Sequence, residues 1–307
     1  MSLIVTGASG QFGQLVTEVL LQKVPASELI LVTRNPRSLE MTARRGAQVR
    51  YGDFDKPDSL RKAFAGGQRM LMISTLSVGR RAEQHRGAID AAVAAGVRHI
   101  AYTSSGGLHP DNPAMVIRDH LGTEQALAQS GLTFTILRDS LYAEVPATQI
   151  APRAISIGKW IGSAAEGKVG FVSKHDCVAV AATVLTKPGH EGKTYEITGG
   201  ELLSFRDVAG LASRIVARPI EYVVIGDDAM RAMLTAAGVP KAYVEGMNTE
   251  GIGTSSSEDI VSYERGIREG YFAVQSDHVR QILGRPPITV RDVLLAHRDE
   301  LVASVPR

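Results

Sequence analysis

Eight residues near the amino end, Thr6-Gly7-Ala8-Ser9-Gly10-Gln11-Phe12-Gly13, narrow the folds open to this chain more than any other stretch. They follow an apolar run, Leu3–Thr6, and open a segment of helical period, Gln11–Leu21, with a second apolar run at Leu29–Thr33. A strand turning through Gly-x2-Gly-x2-Gly into a helix is the setting in which a dinucleotide pyrophosphate is held. Gly7 suits the tight turn, Gly10 a close backbone approach to phosphate, and Gly13 tight packing of helix on strand, while the helix amino end attracts negative charge.

The alternation continues down the chain. Leu3–Thr6, Leu29–Thr33, Gln48–Tyr51, Met70–Ser74, His99–Thr103, Phe134–Leu137 and Thr194–Thr198 read as strands, with helices expected at Gln11–Leu21, Pro57–Phe64, Arg81–Ala95 and Val116–Gln129. Parallel strands need such crossovers, and runs without polar alternation suit strands covered on both faces. The fold expected is α/β, a doubly wound parallel sheet. From residue 200 helices predominate: a helix through Gly210–Val216 capped from Ser204-Phe-Arg-Asp207, a strand in Pro219–Ile225, then helices at Asp227–Ala237, Ser257–Glu269 and Ser276–Leu283. Thr289 is placed to cap a last helix, and Gly251–Ser257 is expected to be a mobile loop. The division expected is a nucleotide domain at 1–138, with 171–199 returning to the sheet, and a smaller, mostly helical substrate-side lobe at 200–307 joined by 139–170.

Composition supplies the exclusions. With 44% apolar residues, 21% charged residues and a formal charge of +2, the 307-residue chain has the balance of an ordinary globule. Its apolar runs fall far short of the ~18–20 residues that span a bilayer, and no basic leader precedes an apolar segment at the amino end. Arg37, Arg44, Arg45, Arg80 and Arg81 are dispersed among acids, so neither membrane nor nucleic acid is an expected partner. The single cysteine, Cys177, gives no sign of an oxidising compartment, and a cytoplasmic location is the default expectation. Beyond His109-x-Asp111 no spacing suits a metal, and none is expected.

The end of the second strand bears on which dinucleotide is bound. An NAD site usually places an acid there for the ribose hydroxyls; this chain has Arg34, with Arg37 close behind, which suits the 2′-phosphate of NADP(H). Asp53 and Phe54, after the third strand, could meet an adenine, although an Asp before Pro57 is also an ordinary turn residue. Many short-chain dehydrogenases pass a proton through a Tyr-x3-Lys pair; none of the eight tyrosines here has a lysine four residues on. His120 and Glu124 stand one helical turn apart, as a structural pair or a catalytic one. Tyr142 follows the sixth strand, where sheet carboxyl ends meet ligands, and is the other catalytic candidate. Ser173 or Asp176 is expected to cap a helix.

Several motifs together resemble the NmrA-like branch of the atypical short-chain dehydrogenases/reductases, nearest to its bacterial quinone and triphenylmethane reductases. They are Thr6–Gly13, Val32-Thr-Arg34-Asn-Pro36, Gln84-His-Arg86 leading into Ala91–Gly96, Val97–Ser104, Asp119-His-x2-Thr-Glu124 and Gly189–Tyr195. The resemblance implies a Rossmann domain with a small carboxyl-terminal lobe, NADP(H) as cofactor, and two-electron reduction of quinones or cationic dyes. It implies that Gly7, Ala8, Ser9, Gly10, Gln11 and Phe12 hold the pyrophosphate and Arg34 the 2′-phosphate. Ser74, Thr75, Leu76, Tyr102, Thr103, Ser104, Leu137 and Arg138 would line the ribose and nicotinamide. Asp139 departs from the asparagine usual after the Leu-Arg pair, and Gly253–Phe272 is longer than in the quinone reductases. A quinone can take hydride while water protonates its oxygens, so the missing tyrosine–lysine pair fits such an acceptor. The expected function is therefore NADPH-dependent reduction of a small quinone-like or aromatic molecule, compatible with a homodimer. A redox-sensing NADP-binding regulator without turnover, and a reductase of a specialised aromatic or lactone metabolite, remain as alternatives.

Overall fold

The computed structural model describes residues 1–244 and 256–306. Along the chain run Leu3–Thr6 (β1), Gln11–Leu21 (α1), Leu29–Thr33 (β2), Glu40–Arg44 (α2), Gln48–Tyr51 (β3), Pro57–Phe64 (α3), Arg69–Met72 (β4), Arg81–Ala94 (α4), His99–Ser105 (β5), Met115–Gln129 (α5) and Thr133–Asp139 (β6). There follow Ala151–Ile157 (α6), Lys159–Gly162 (β7), Lys168–Val169 (β8), Lys174–Thr186 (α7), Thr194–Ile197 (β9), Leu203–Ser204 (β10), Phe205–Val216 (α8) and Glu221–Val224 (β11). Helices Asp227–Ala236 (α9), Ser257–Arg268 (α10), His278–Leu283 (α11), Val290–Ala296 (α12) and Arg298–Ala303 (α13) complete the order.

The seven apolar runs of the sequence form one seven-stranded parallel sheet in the order β3-β2-β1-β4-β5-β6-β9. Ile4 of β1 lies between Ile30 of β2 and Met70 of β4, so the register brings the carboxyl ends of these strands level. Alternate residues Ile30 and Val32, Met70 and Met72, and Ile100 and Tyr102 share one face, where Leu60 and Phe64 of α3 and Ala88, Ile89 and Ala92 of α4 pack on them. Strand β3 is the exposed edge, and Arg50 on it donates to the carbonyls of Ala63 and Ala65 at the end of α3.

By compactness the chain divides into two units. The first comprises Met1–Ser105, Arg118–Arg138 and Cys177–Tyr195; the second comprises Gly106–Ile117, Asp139–Asp176 and Glu196–Arg307. Within the second, β7 pairs with β11 in parallel and β8 with β10 antiparallel. Trp160 and Phe171 meet the Phe205 ring at centroid distances of 6.0 and 5.6 Å. Arg265 and Arg268 of α10 clasp the Asp227 carboxylate at 2.8 and 2.9 Å. The buried Glu264 carboxylate accepts from the Ser163 hydroxyl and main-chain amide, and burial raises its pKa.

Four expectations shift. Strand β4 ends at Met72 rather than Ser74, because the Ile73 and Ser74 amides donate to the Thr6 and Thr103 hydroxyls at 3.1 and 2.9 Å and leave the ladder. Helix α11 starts at His278 rather than Ser276, whose amide donates to Thr198 Oγ1 at 3.0 Å. The last helix is two, α12 and α13, separated at His297. The mobile loop expected at Gly251–Ser257 lies mostly outside the described residues; its end is ordered, with Ser256 capping α10 by accepting from the Asp259 amide. Among the described residues no helix is long and apolar enough to cross a membrane.

Candidate active site

The first βα turn is built from backbone. Gly7 adopts φ +61°, which an L side chain rarely tolerates, and accepts from the Gly10 amide at 2.9 Å. The Ala8 amide donates to the Val32 carbonyl at 3.1 Å, and the Ser9 and Thr33 hydroxyls meet at 2.6 Å, tying the turn to β2. A Cβ on Gly13 would stand 2.3 Å from the Gly7 oxygen and 2.7 Å from the Ala8 Cα, so only glycine lets the turn fold onto α1. Helix α1 starts at Gly10 with no side-chain cap and no acid in its first turn. An uncapped helix start without an acid attracts negative charge, so the residues present fit a pyrophosphate. Gln11 lies exposed in this turn, whereas Phe12 turns into the core.

Beyond β2 the Asn35 amide donates to Thr33 Oγ1 at 3.0 Å and the chain swings outward. Arg34 and Arg37 are exposed and pair with no carboxylate among the described residues, which leaves both charges for an anion. Asp53 and Phe54, the adenine candidates after β3, are both tied into the fold. Asp53 closes a turn, accepting from the Asp55 amide at 3.1 Å and the Tyr51 hydroxyl at 3.3 Å. Phe54 packs on the core and meets the His85 ring edge-on at 6.0 Å.

Behind the loop after β4 lies a buried polar chain. Thr75 donates its amide to His85 Nε2 at 3.1 Å and its hydroxyl to Gln84 Oε1 at 2.6 Å, and its carbonyl accepts from Arg81 Nε at 2.6 Å. The Gly79 amide donates to the Asp119 carboxylate at 2.7 Å. Arg81 also donates to His120 Nε2 at 2.9 Å, and His120 Nδ1 meets the Tyr102 hydroxyl at 2.7 Å. The Thr123 hydroxyl meets His85 Nδ1 at 2.9 Å. Burial, reinforced by the Arg81 charge, lowers the pKa of His85 to about 3 and that of His120 well below its ordinary value. Both rings are therefore neutral, and because Arg81 and the Thr75 amide can only donate, each carries its proton on Nδ1.

This overturns two expectations. His120 is only 5% exposed with both ring nitrogens engaged, so it is not open to a substrate; nor does it pair with Glu124. Tyr102 is fully buried, so its hydroxyl cannot line a ligand and only its main chain could. Leu137 is likewise buried at 1% exposure. Arg81, His85, Asp119 and Thr123 receive no site role from the sequence, although the last three fall within its motifs; the available signal is polar residues at i and i+4 on helices whose inner faces must be buried.

At the ends of β5 and β6, Thr103 Oγ1 accepts from the Ser74 amide. Glu124 accepts from the Ser104 hydroxyl at 2.7 Å and from Arg138 at 3.1 and 2.8 Å. Leu76, by contrast, is 60% exposed on the loop these groups hold. Within the second unit the Tyr142 hydroxyl donates to Asp139 Oδ2 at 3.1 Å, and Lys174 Nζ lies 5.7 Å from the Tyr142 ring centroid. Ser173 does cap α7, accepting from the His175 amide at 3.2 Å. Asp176 instead is buried, accepting from the Ile288 amide at 2.6 Å and pairing with Arg285.

A parallel sheet whose first turn is a glycine cradle at an uncapped helix start, with free cations after β2, defines a dinucleotide-binding protein of the Rossmann type. The chain belongs to the NAD(P)H-binding family, whose model matches residues 7–188. It is 36% identical over 254 residues to quinone oxidoreductase 2 of Escherichia coli, covering 82% of this chain and 88% of that protein. The structure of an NADPH-dependent quinone oxidoreductase from E. coli, solved with NADPH, superposes with a TM-score of 0.87 at 32% identity, covering 96% of this chain and 99% of that one. Triphenylmethane reductase of Citrobacter sp., solved with NADP(H), does so with a TM-score of 0.86 at 30% identity over 96% and 99% of the two chains. The chain is an NAD(P)H-dependent oxidoreductase, in keeping with the NmrA-like motifs.

Proposed function

We propose that this protein is an NADPH-dependent reductase of quinones or similarly planar, conjugated acceptors. The observation that carries the reading is the pairing of an uncapped glycine turn, Gly7–Gly13, with two guanidiniums, Arg34 and Arg37, that have no carboxylate partner among the described residues. When bound, NADPH supplies the hydride. Gly7, Ala8, Ser9, Gly10, Gln11 and Phe12 hold the pyrophosphate, chiefly through backbone amides, and Arg34, with Arg37, holds the 2′-phosphate. Ser74, Thr75, Leu76, Thr103, Ser104 and Arg138 orient the ribose and nicotinamide, with Tyr102 and Leu137 contributing main chain alone. Residues 139–170 and 200–307 form the substrate-side lobe in this reading, and Tyr142, its hydroxyl set by Asp139, contacts the acceptor.

No Tyr-x3-Lys pair is present to protonate an oxygen as hydride arrives. A quinone does not need one: reduction at the ring leaves an oxyanion that water protonates, so orientation supplies most of the acceleration. The similarity to enzymes named for quinone and triphenylmethane reduction supports the same acceptor class. Following NADPH absorbance against naphthoquinones, triarylmethane dyes and conjugated ketones tests the proposal, with turnover expected for the first two sets. Tight NADP(H) binding with no turnover of any acceptor would replace the reductase with a sensor. Arg34→Asp is expected to raise KM for NADPH at least tenfold while leaving NADH nearly unchanged; equal losses would remove Arg34 from the 2′-phosphate.

A further inference from the structure

We infer that Arg81, His120, Tyr102, Thr123 and His85 form a neutral-histidine latch that fixes the Ser74–Gly79 loop as a rigid wall for the nicotinamide end of the cofactor. His120 is thus a positioning residue and not a proton donor. The inference rests on the reading above and goes beyond it by assigning a role to five buried side chains. Irregular chain after a strand would ordinarily be mobile, yet here the Ile73, Ser74, Thr75 and Gly79 amides donate to Thr6, Thr103, His85 and Asp119 at 3.1, 2.9, 3.1 and 2.7 Å. Three of those four acceptors sit on flanking strands or on α5, and His85 on α4 is itself held through Thr123 of α5.

Directionality is consistent along two limbs that meet at Thr75, whose carbonyl accepts from Arg81 and whose amide donates to His85. Arg81 can only donate, so His120 accepts at Nε2 and gives its Nδ1 proton to the Tyr102 oxygen. On the other limb Thr123 donates to the Asp119 carbonyl at 2.8 Å and accepts from His85 Nδ1. His85 Nε2 is thereby left as the acceptor that the Thr75 amide requires. Every member has one consistent state, and protonating either imidazole would put two donors face to face. Arg81 is 6% exposed and forms no ion pair among the described residues, so its place is set by the Thr75 carbonyl and His120. Exposed Leu76 rides on the loop so fixed, offering apolar surface in a region held by hydrogen bonds on its inner side.

The experiment compares His120→Leu, Thr123→Val and His120→Gln with the wild-type protein in two binding assays and one rate assay. NADPH and 2′-phospho-ADP-ribose, which lacks the nicotinamide, are titrated separately, and kcat for a naphthoquinone is followed from pH 5.5 to 9. His120→Leu and Thr123→Val are expected to weaken NADPH about tenfold and slow turnover, while binding of the fragment changes less than twofold. His120→Gln can accept from Arg81 and donate to Tyr102, so it is expected to recover most of the NADPH affinity with an unaltered pH profile. Parallel loss of fragment binding would mean general damage to the domain, and undiminished NADPH affinity in both disruptive variants would mean that the latch does not set the loop. A pH limb lost in His120→Gln would make His120 a proton donor; each of these three results overturns the inference. If the wild-type protein fails to bind NADPH, the functional reading fails first, and this is seen before any variant is compared.

Discussion

At Gly13 the absence of a single carbon decides whether the turn can close, since a Cβ would lie within 3 Å of three backbone atoms of Gly7 and Ala8. Backbone cannot yield as a flexible side chain would, so Gly13→Ala is expected to weaken NADPH binding more than tenfold and to lower the melting temperature by several degrees. Gly10→Ala, whose Cβ would meet the Gly7 oxygen at 3.3 Å, is expected to be milder on both measures. Residues of this kind are legible in sequence because glycine at fixed offsets after a strand has few other uses. Arg34 stands out for a similar reason, a cation where an acid is customary, and Arg34→Asp tests its role. Asp53 and Phe54 carry a weaker signal, because a turn aspartate and a half-buried ring look the same in sequence whether or not a ligand lies beside them. His120 illustrates the opposite difficulty: a histidine at helical spacing from a glutamate suggests chemistry, and only the positions of Arg81 and Tyr102 show that both its nitrogens are used.

Among the elements, helix starts follow local rules closely. Ser204 and Asp207 satisfy each other's backbone amides at the start of α8, as do Thr289 and Asp292 at the start of α12. Ser204→Ala is therefore expected to cost about 1 kcal/mol, read as a shift in urea midpoint at unchanged slope. Helices α1 and α3 have the limits that periodicity and their glycine and proline signals suggest. Strand β4 does not, and the cause is tertiary: hydroxyls of Thr6 and Thr103 on neighbouring strands capture the amides that would have extended the ladder. The sheet order has the same status. Alternating apolar runs imply a parallel sheet, but which strand lies beside which is settled by packing between segments far apart in sequence; of the small sheets pairing β7 with β11 and β8 with β10, only β11 is marked in the sequence, by Pro219–Ile225.

For the molecule as a whole, buried neutral histidines couple folding to pH. His85 and His99 have pKa values lowered to about 3 and about 4, in both cases chiefly by burial, whereas in the unfolded chain each titrates near 6.5. Below pH 6.5 the unfolded state binds protons that the native state refuses, so stability is complete above that pH and is lost as acid is added, down to the folded pKa. Between pH 7 and pH 5 each such histidine is expected to remove roughly 2 kcal/mol from the unfolding free energy. Urea titrations at the two pH values measure the sum, and His99→Gln is expected to shrink the difference by about one histidine's share. An unchanged difference in that variant would mean that His99 is protonated in the native protein.

The loop after β4 has a thermodynamic consequence as well. Its Ile73, Ser74, Thr75 and Gly79 amides are already bound to side chains of the same unit. Chain that would otherwise be ordered by its ligand surrendered that freedom when the protein folded, so a ring settling against it has little backbone entropy left to remove. Amide hydrogens in this irregular segment should therefore exchange with solvent as slowly as those of a helix, before any nucleotide is added.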